Sequence, residues 1–143
     1  MKINKEKSIF LSIKPKFVEL ILNQTKNHEF RTRIPNNEVE FLFVYTTNPV
    51  WKFQYIIKVD KQIQFPENIK LENNWIWNSE FNNWEKKAKF AYPILNLFEL
   101  KKPLSLKELK EDFWFIVPQG FYYLDKCEKV FEYVERIWVR KIF

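Results

Sequence analysis

Of the chain's 143 residues, one is glycine, Gly120. That scarcity closes off the phosphate-cradling folds. A dinucleotide fingerprint and a Walker loop each need several glycines so that backbone can approach phosphate. Aromatic residues are plentiful instead: 15 Phe, 6 Trp and 6 Tyr supply enough bulk to fill a core at this length. At 46% apolar and 29% charged, the composition is globular and not disordered. One Cys and one His leave nothing for a disulfide framework or a Cys/His zinc site, so neither metal nor cofactor is expected. The start, Met1-Lys2-Ile3-Asn4-Lys5, holds no apolar signal core. No uncharged run approaches the roughly 18 residues of a membrane helix. These features predict a soluble, cytoplasmic protein with no membrane partner, folded as one domain over residues 1–143.

The net charge of +6 is unevenly spread. Residues 1–33 hold eight Lys/Arg against three Glu, a surplus of five, and the rest of the chain adds one more. Such a surface collects phosphate by Coulomb attraction and counterion release, which makes RNA or a nucleotide-like ligand the expected partner. The plain alternative is a set of lysines spread over solvated faces.

Ser8–Ile13 reads as a short buried strand, ended by Lys14-Pro15 because the residue before proline avoids helical angles. Pro15 suits the first turn of a helix, and Phe17, Leu20 and Ile21 recur at helical spacing to about Asn23. From Lys26 to Arg33 the pattern alternates, with His28, Phe30 and Thr32 on one face and Glu29, Arg31 and Arg33 on the other. After a turn at Pro35-Asn36-Asn37, strands are predicted over Val39–Thr46 and Trp51–Val59. Trp75, Trp77, Phe81 and Trp84 of the Trp-rich 75–84 segment fall in a predicted helix that includes about 78–88, where core or interface packing competes with base stacking. Phe90–Leu100 returns to strand, with Pro93 marking an edge or a bulge. Ser105 and Glu108 have capping-box spacing and predict a helix from Leu106 to Asp112. Phe113–Tyr123 reads as a last strand broken at Pro118-Gln119-Gly120. Asp125 with Glu128 repeats the cap pattern ahead of an amphipathic helix built on Val130, Phe131, Val134, Ile137 and Trp138. That helix is a candidate surface for oligomer formation.

Glu29, Arg31 and Arg33 share a strand face. Arg31 there offers a planar fork for phosphate or a base edge, and Glu29 an acceptor for an exocyclic amine. The bland reading is a surface ladder of opposite charges. Lys14 and Lys16 flank the start of the first helix, where amides also attract anions, and Lys26 leads into the charged strand. Tyr45 and Thr46 end a strand and are candidate cleft hydroxyls. Gly120 can let backbone approach a ligand between Gln119 and Phe121, whose ring can stack a base or simply pack the core. His28, opposite Glu29, reads as structural, and Cys127 as a core thiol.

Four strings fall in an order known from one family. They are Leu11-Ser-Ile-Lys-Pro-Lys-Phe-Val-Glu-Leu-Ile-Leu22, Lys26-Asn-His-Glu29-Phe-Arg31, Val44-Tyr-Thr-Thr-Asn-Pro49, and Pro103-Leu-Ser-Leu-Lys-Glu-Leu109 leading into Pro118-Gln-Gly-Phe-Tyr-Tyr-Leu124. Together they resemble the ASCH domain of the PUA-like superfamily over residues 8–125, with 126–143 as a helical extension. The resemblance implies an α+β fold, a mixed β-barrel of about five or six strands with helices packed outside. It also implies an RNA-binding or regulatory module that recognises RNA or a modified nucleobase in a cleft. The family usually carries glycine after the first helix and in the second long strand, where this chain has Asn23-Gln24 and Gln54. In the ASCH amidohydrolases that act on acetylated cytidine, a lysine matching Lys26 is catalytic, but the threonine three residues on is here Glu29. A carboxylate does not replace that hydroxyl nucleophile. A small metal-independent hydrolase using Lys26 and Glu29 for proton transfer, a ribonuclease above all, is the alternative the resemblance leaves open.

Overall fold

The computed structural model of the chain describes residues 2–137 and 139–143. Among these residues eight strands and four α-helices follow one another as β1 (Ser8–Ile13), α1 (Pro15–Leu22), β2 (His28–Arg31), β3 (Phe41–Thr46), β4 (Lys52–Val59), β5 (Ile63–Gln64), α2 (Asn78–Asn82), β6 (Phe90–Ser105), α3 (Leu106–Asp112), β7 (Phe121–Tyr123), α4 (Glu128–Arg136) and β8 (Val139–Lys141). Six strands run side by side in the order β2-β6-β4-β3-β1-β7 and curl into a half-barrel, with β5 and β8 also pairing β6. β1 and β3 pair in parallel, Ser8 opposite Phe41 through Ile13 opposite Thr46, and the other pairs are antiparallel. The α+β fold with a mixed sheet that the resemblance implies is therefore present, its six strands forming a half-barrel.

Both faces of β1 and β3 are buried, which explains why neither strand alternates with polar residues. Ile9, Leu11 and Ile13 join Leu42 and Val44 under α1, whose Val18 and Ile21 close that layer. Phe10, Phe43 and Phe53 pack on the other face with Leu109 of α3 and Val130 and Val134 of α4. The Phe10 ring meets Phe53 at 5.0 Å and Phe115 at 5.1 Å, both edge-on, a geometry that suits the ring quadrupole. Pro15 stands at the start of α1 after an extended Lys14, as predicted. The capping box of α3 is complete: Ser105 Oγ accepts from the Glu108 amide, and Glu108 Oε1 accepts from the Ser105 amide.

Four elements depart from the sequence reading. The helix after the tryptophans stops at Asn82, where Asn83 and a left-handed Trp84 (φ 64°) end it. β6 runs to Ser105, beyond the expected Leu100; Pro103 falls in the stretch between Glu99 and Leu104 where its register against β4 shifts, and Pro93 pairs His28 of β2. Of the strand expected over Phe113–Tyr123, only Phe121–Tyr123 pairs, because Trp114 takes a left-handed φ of 52° and breaks the line. The C-terminal helix ends at Arg136; Val139–Lys141 then add a strand beside Leu100, Glu99 and Phe98. Trp138, expected in that helix, lies outside the described residues. α4 starts with no side-chain cap, Asp125 lying in a short 3₁₀ turn. Val130 and Val134 are buried in the chain's own core, and Phe131 and Ile137 pack partly buried against it. Among the described residues no helix is long and apolar enough to cross a membrane.

Candidate functional site at the seam of the half-barrel

The left-handed residue after α1 is Gln24 (φ 56°), not Asn23, which instead uses its side chain to cap Thr25. The amides of Thr25 and Lys26 both return to the Leu20 carbonyl, at 2.9 and 3.0 Å, and this tight reversal turns the chain inward. Lys26 and Glu29 are both buried, and Lys26 Nζ donates to Glu29 Oε1 at 2.7 Å. The other carboxylate oxygen, Oε2, accepts from Arg31 Nη1 at 3.2 Å. Arg31 Nη2 then donates to the Gly120 carbonyl at 3.1 Å. Gly120 leads into β7, so Arg31 bridges the two ends of the six-strand path, β2 and β7. Ser12 makes a second tie, from Oγ to the Pro118 carbonyl at 2.8 Å.

Aromatic rings surround this charge. Lys26 Nζ stands 5.3 Å from the centre of the Phe17 ring and 5.9 Å from both Phe30 and Trp77. Trp77 meets Phe17 and Phe30 edge-on at 5.6 and 6.5 Å. Lys86 closes the wall with its Nζ 4.6 Å from Trp77 and 4.7 Å from Phe30. Burial, and secondly the charge of Lys26, hold the Lys86 ammonium below its ordinary pKa. The cavity so enclosed is about 290 Å³, with Ser12 and Lys14 at its β1–α1 rim. A second hollow of about 340 Å³ shares Phe30 and Arg31 with it and adds Arg33, Gly120 and Phe121. Gly120 is needed for its φ of +103° and not for space, since a Cβ would meet only Arg33 Nη2, at 3.8 Å.

Lys14, Lys26, Glu29 and Arg31 thus come together in one cavity, and Arg33, Gly120 and Phe121 in the hollow beside it. Lys16 is exposed, its Nζ 5.0 Å from the Phe17 ring. Gln119 is exposed and outside both hollows. Tyr45 and Thr46 line neither. Tyr45 follows Phe41 and Phe43 on the core face and packs on Phe115, while Thr46 is buried with its hydroxyl unpartnered. Gln54 donates to Glu99 at 2.9 Å, clear of the cavity. His28 is buried and its Nδ1 donates to Asn27 Oδ1 at 2.7 Å, the structural role expected of it. Cys127 is a buried thiol whose pKa burial raises. Phe30, placed by alternation away from Glu29 and Arg31, lines the same cavity, which takes side chains from both faces of β2. Sequence reasoning also missed Phe17, Trp77 and Lys86 as wall residues. The Trp-rich run was the one signal pointing there. Among the described residues no group of three His, Cys, Asp or Glu could hold a metal ion.

This chain superposes on the crystal structure of ASCH from Zymomonas mobilis with a TM-score of 0.67 at 20% identity, covering 93% of this chain and 97% of that one. The chain has the ASCH fold. A serine-to-alanine variant of the Zymomonas ASCH protein matches with a TM-score of 0.65 at 22% identity over 95% of this chain and all of that one. A tyrosine-to-phenylalanine variant gives 0.65 at 21% over 92% and 99%. No family model and no curated protein sequence matches. The ASCH likeness thus rests on backbone architecture over nearly the full length of both chains.

Proposed function

We propose that the chain is a cytoplasmic RNA-binding module that seats one unpaired or modified base in the cavity at the half-barrel seam. The observation that carries this reading is a Lys26–Glu29–Arg31 chain of hydrogen bonds, with Lys26 and Glu29 buried, inside walls made by Phe17, Phe30 and Trp77. Ring faces stack a base whatever its identity, and the charged groups read its edge. Each Glu29 oxygen holds one cation and keeps a lone pair for an exocyclic amine, while Lys26 can donate to a base carbonyl. Lys14 at the rim, Arg33 in the adjoining hollow and the exposed Lys16 supply attraction to the backbone phosphates. Titration with single-stranded RNA should show affinity falling as salt rises, in proportion to the phosphates neutralised. Arg31→Ala should weaken binding by about 1–3 kcal/mol, the range of a bidentate base contact. No binding even at low salt would overturn the reading.

The 2.7 Å Lys26–Glu29 contact also supports a second reading, a metal-independent hydrolase of RNA or acylated nucleosides. Glu29 is the counter-ion of both Lys26 and Arg31, a role it would give up on taking a proton, which favours binding. Glu29→Gln separates the two: a catalyst loses turnover while affinity stays, and a binding module has no turnover to lose.

A further inference from the structure

The charges lining the cavity do not balance. Lys14, Lys26, Arg31 and Lys86 face one carboxylate, Glu29, whose two oxygens are already taken by Lys26 and Arg31. Lys86 is half-buried and, among the described residues, has neither a hydrogen-bond acceptor for its ammonium nor an ion-pair partner. Glu80 of α2 and Glu29 of β2 are the acids that act on it, and neither forms a salt bridge with it. Its charge rests on the faces of Trp77 and Phe30, which offset only part of what is lost on leaving water. Its backbone is pinned as well, the Lys86 carbonyl accepting from Lys89 Nζ. An ammonium held over two rings, near a second ammonium, without a counter-ion, leaves room for one more negative group. The rim adds to the same field: α1 begins there behind Lys14 with no side-chain cap, so the positive end of its dipole faces the opening.

We propose that the cavity takes a phosphate group along with a base, as in a nucleotide, and that Lys86 is the residue that receives the phosphate. This rests on the base-binding reading and extends it from a neutral base to an anionic ligand. The low ammonium pKa of Lys86 supports it, because an arriving phosphate supplies the missing counter-charge. Lys14 stands at the rim to share the anion, while Lys26, Glu29 and Arg31 remain with the base.

Calorimetric titration of the full chain with the four ribonucleosides, their 5′-monophosphates and inorganic phosphate tests this. The monophosphates should bind about tenfold more tightly than the nucleosides, the size of one charge-assisted hydrogen bond. Lys86→Met should erase that advantage and leave nucleoside affinity within about twofold. Lys86→Arg should keep it, which guards against a loss caused by misfolding. Lys107→Met, an exposed change on α3, should keep it too and controls for net charge. Equal affinity for nucleoside and monophosphate in the parent chain, or an advantage that survives Lys86→Met, overturns the proposal. If that happens while single-stranded RNA still binds, the base-binding reading stands and only the phosphate subsite falls. If monophosphates bind through Lys86 but RNA does not, the subsite stands and the RNA reading falls. If no probe binds at all, both fall.

Discussion

Two ion pairs in this molecule have the same length and opposite settings. Lys26–Glu29 and Lys5–Glu128 both close to 2.7 Å. The first has side chains 4% and 5% exposed, the second 34% and 57%. Coulomb's law treats them alike in distance and very differently in medium. On the surface, water screens the attraction and solvates either group when its partner leaves. Inside the seam, removing one partner strands the other among aromatic rings, and only a specific geometry repays the desolvation of both. Position in the fold, and not pair length, therefore separates the candidate site from its scaffold.

The largest effect should come from breaking the buried pair. Glu29→Ala leaves Lys26 with ring faces alone and takes from Arg31 one of its two anchors. A buried ion deprived of its partner costs about 3–5 kcal/mol, and chemical denaturation followed by circular dichroism should register that loss. Replacing both members, Lys26→Met with Glu29→Leu, should recover most of it, since apolar residues of similar volume often match a buried pair. Ligand binding should stay lost in the double variant. A double variant no more stable than Glu29→Ala would mean that burial of charge is not what governs this site.

How much of this could be read in the sequence depends on how local the causes are. β1, the proline start of α1 and the Ser105–Glu108 cap follow from neighbouring residues, and each stands within a residue or two of its expected place. Glu29 and Arg31 were legible because alternation put them on one face. Lys86 and Trp77 were not, because they reach Lys26 only through the fold, and no spacing rule connects residues fifty or sixty positions apart. β8 was illegible for the same reason, since its partner strand β6 lies some forty residues earlier. Tyr45 was misplaced although its alternation with Phe41 and Phe43 already indicated the core.

His28 sharpens the comparison from the other side. It neighbours Glu29 on β2, is equally buried, and has no charged partner, so burial alone lowers its pKa from 6.5 to about 4. Burial without a charged partner keeps His28 neutral. The native state thus binds fewer protons than the unfolded chain between those two values, and stability must fall as pH drops through that window. His28 contributes fully above pH 6.5, and its loss is complete near pH 4, amounting to about 3 kcal/mol. The difference in unfolding free energy between the parent chain and His28→Gln, measured across the window, isolates this from the carboxylates. A difference that does not change with pH would show that His28 titrates normally.

The smallest effect should come from the surface pair, and its smallness is the control for the comparison. The hydrogen bond to Glu128, first among its causes, raises the Lys5 pKa above its ordinary value. A lysine whose folded pKa is raised contributes wherever pH lies below the unfolded value, and the contribution is lost only as pH climbs through the folded one. Between about pH 6 and 8 its contribution is therefore constant. Lys5→Met should shift the thermal midpoint only slightly, by the same amount across that range. Added salt should shrink the shift further, because exposed charges are screened. The deficit of Glu29→Ala should persist in the same salt, since a buried charge is screened far less than an exposed one. A Lys5→Met deficit as large and as salt-resistant as that of Glu29→Ala would mean that exposure does not distinguish the two pairs, and the case for a site at the seam would lose its energetic ground.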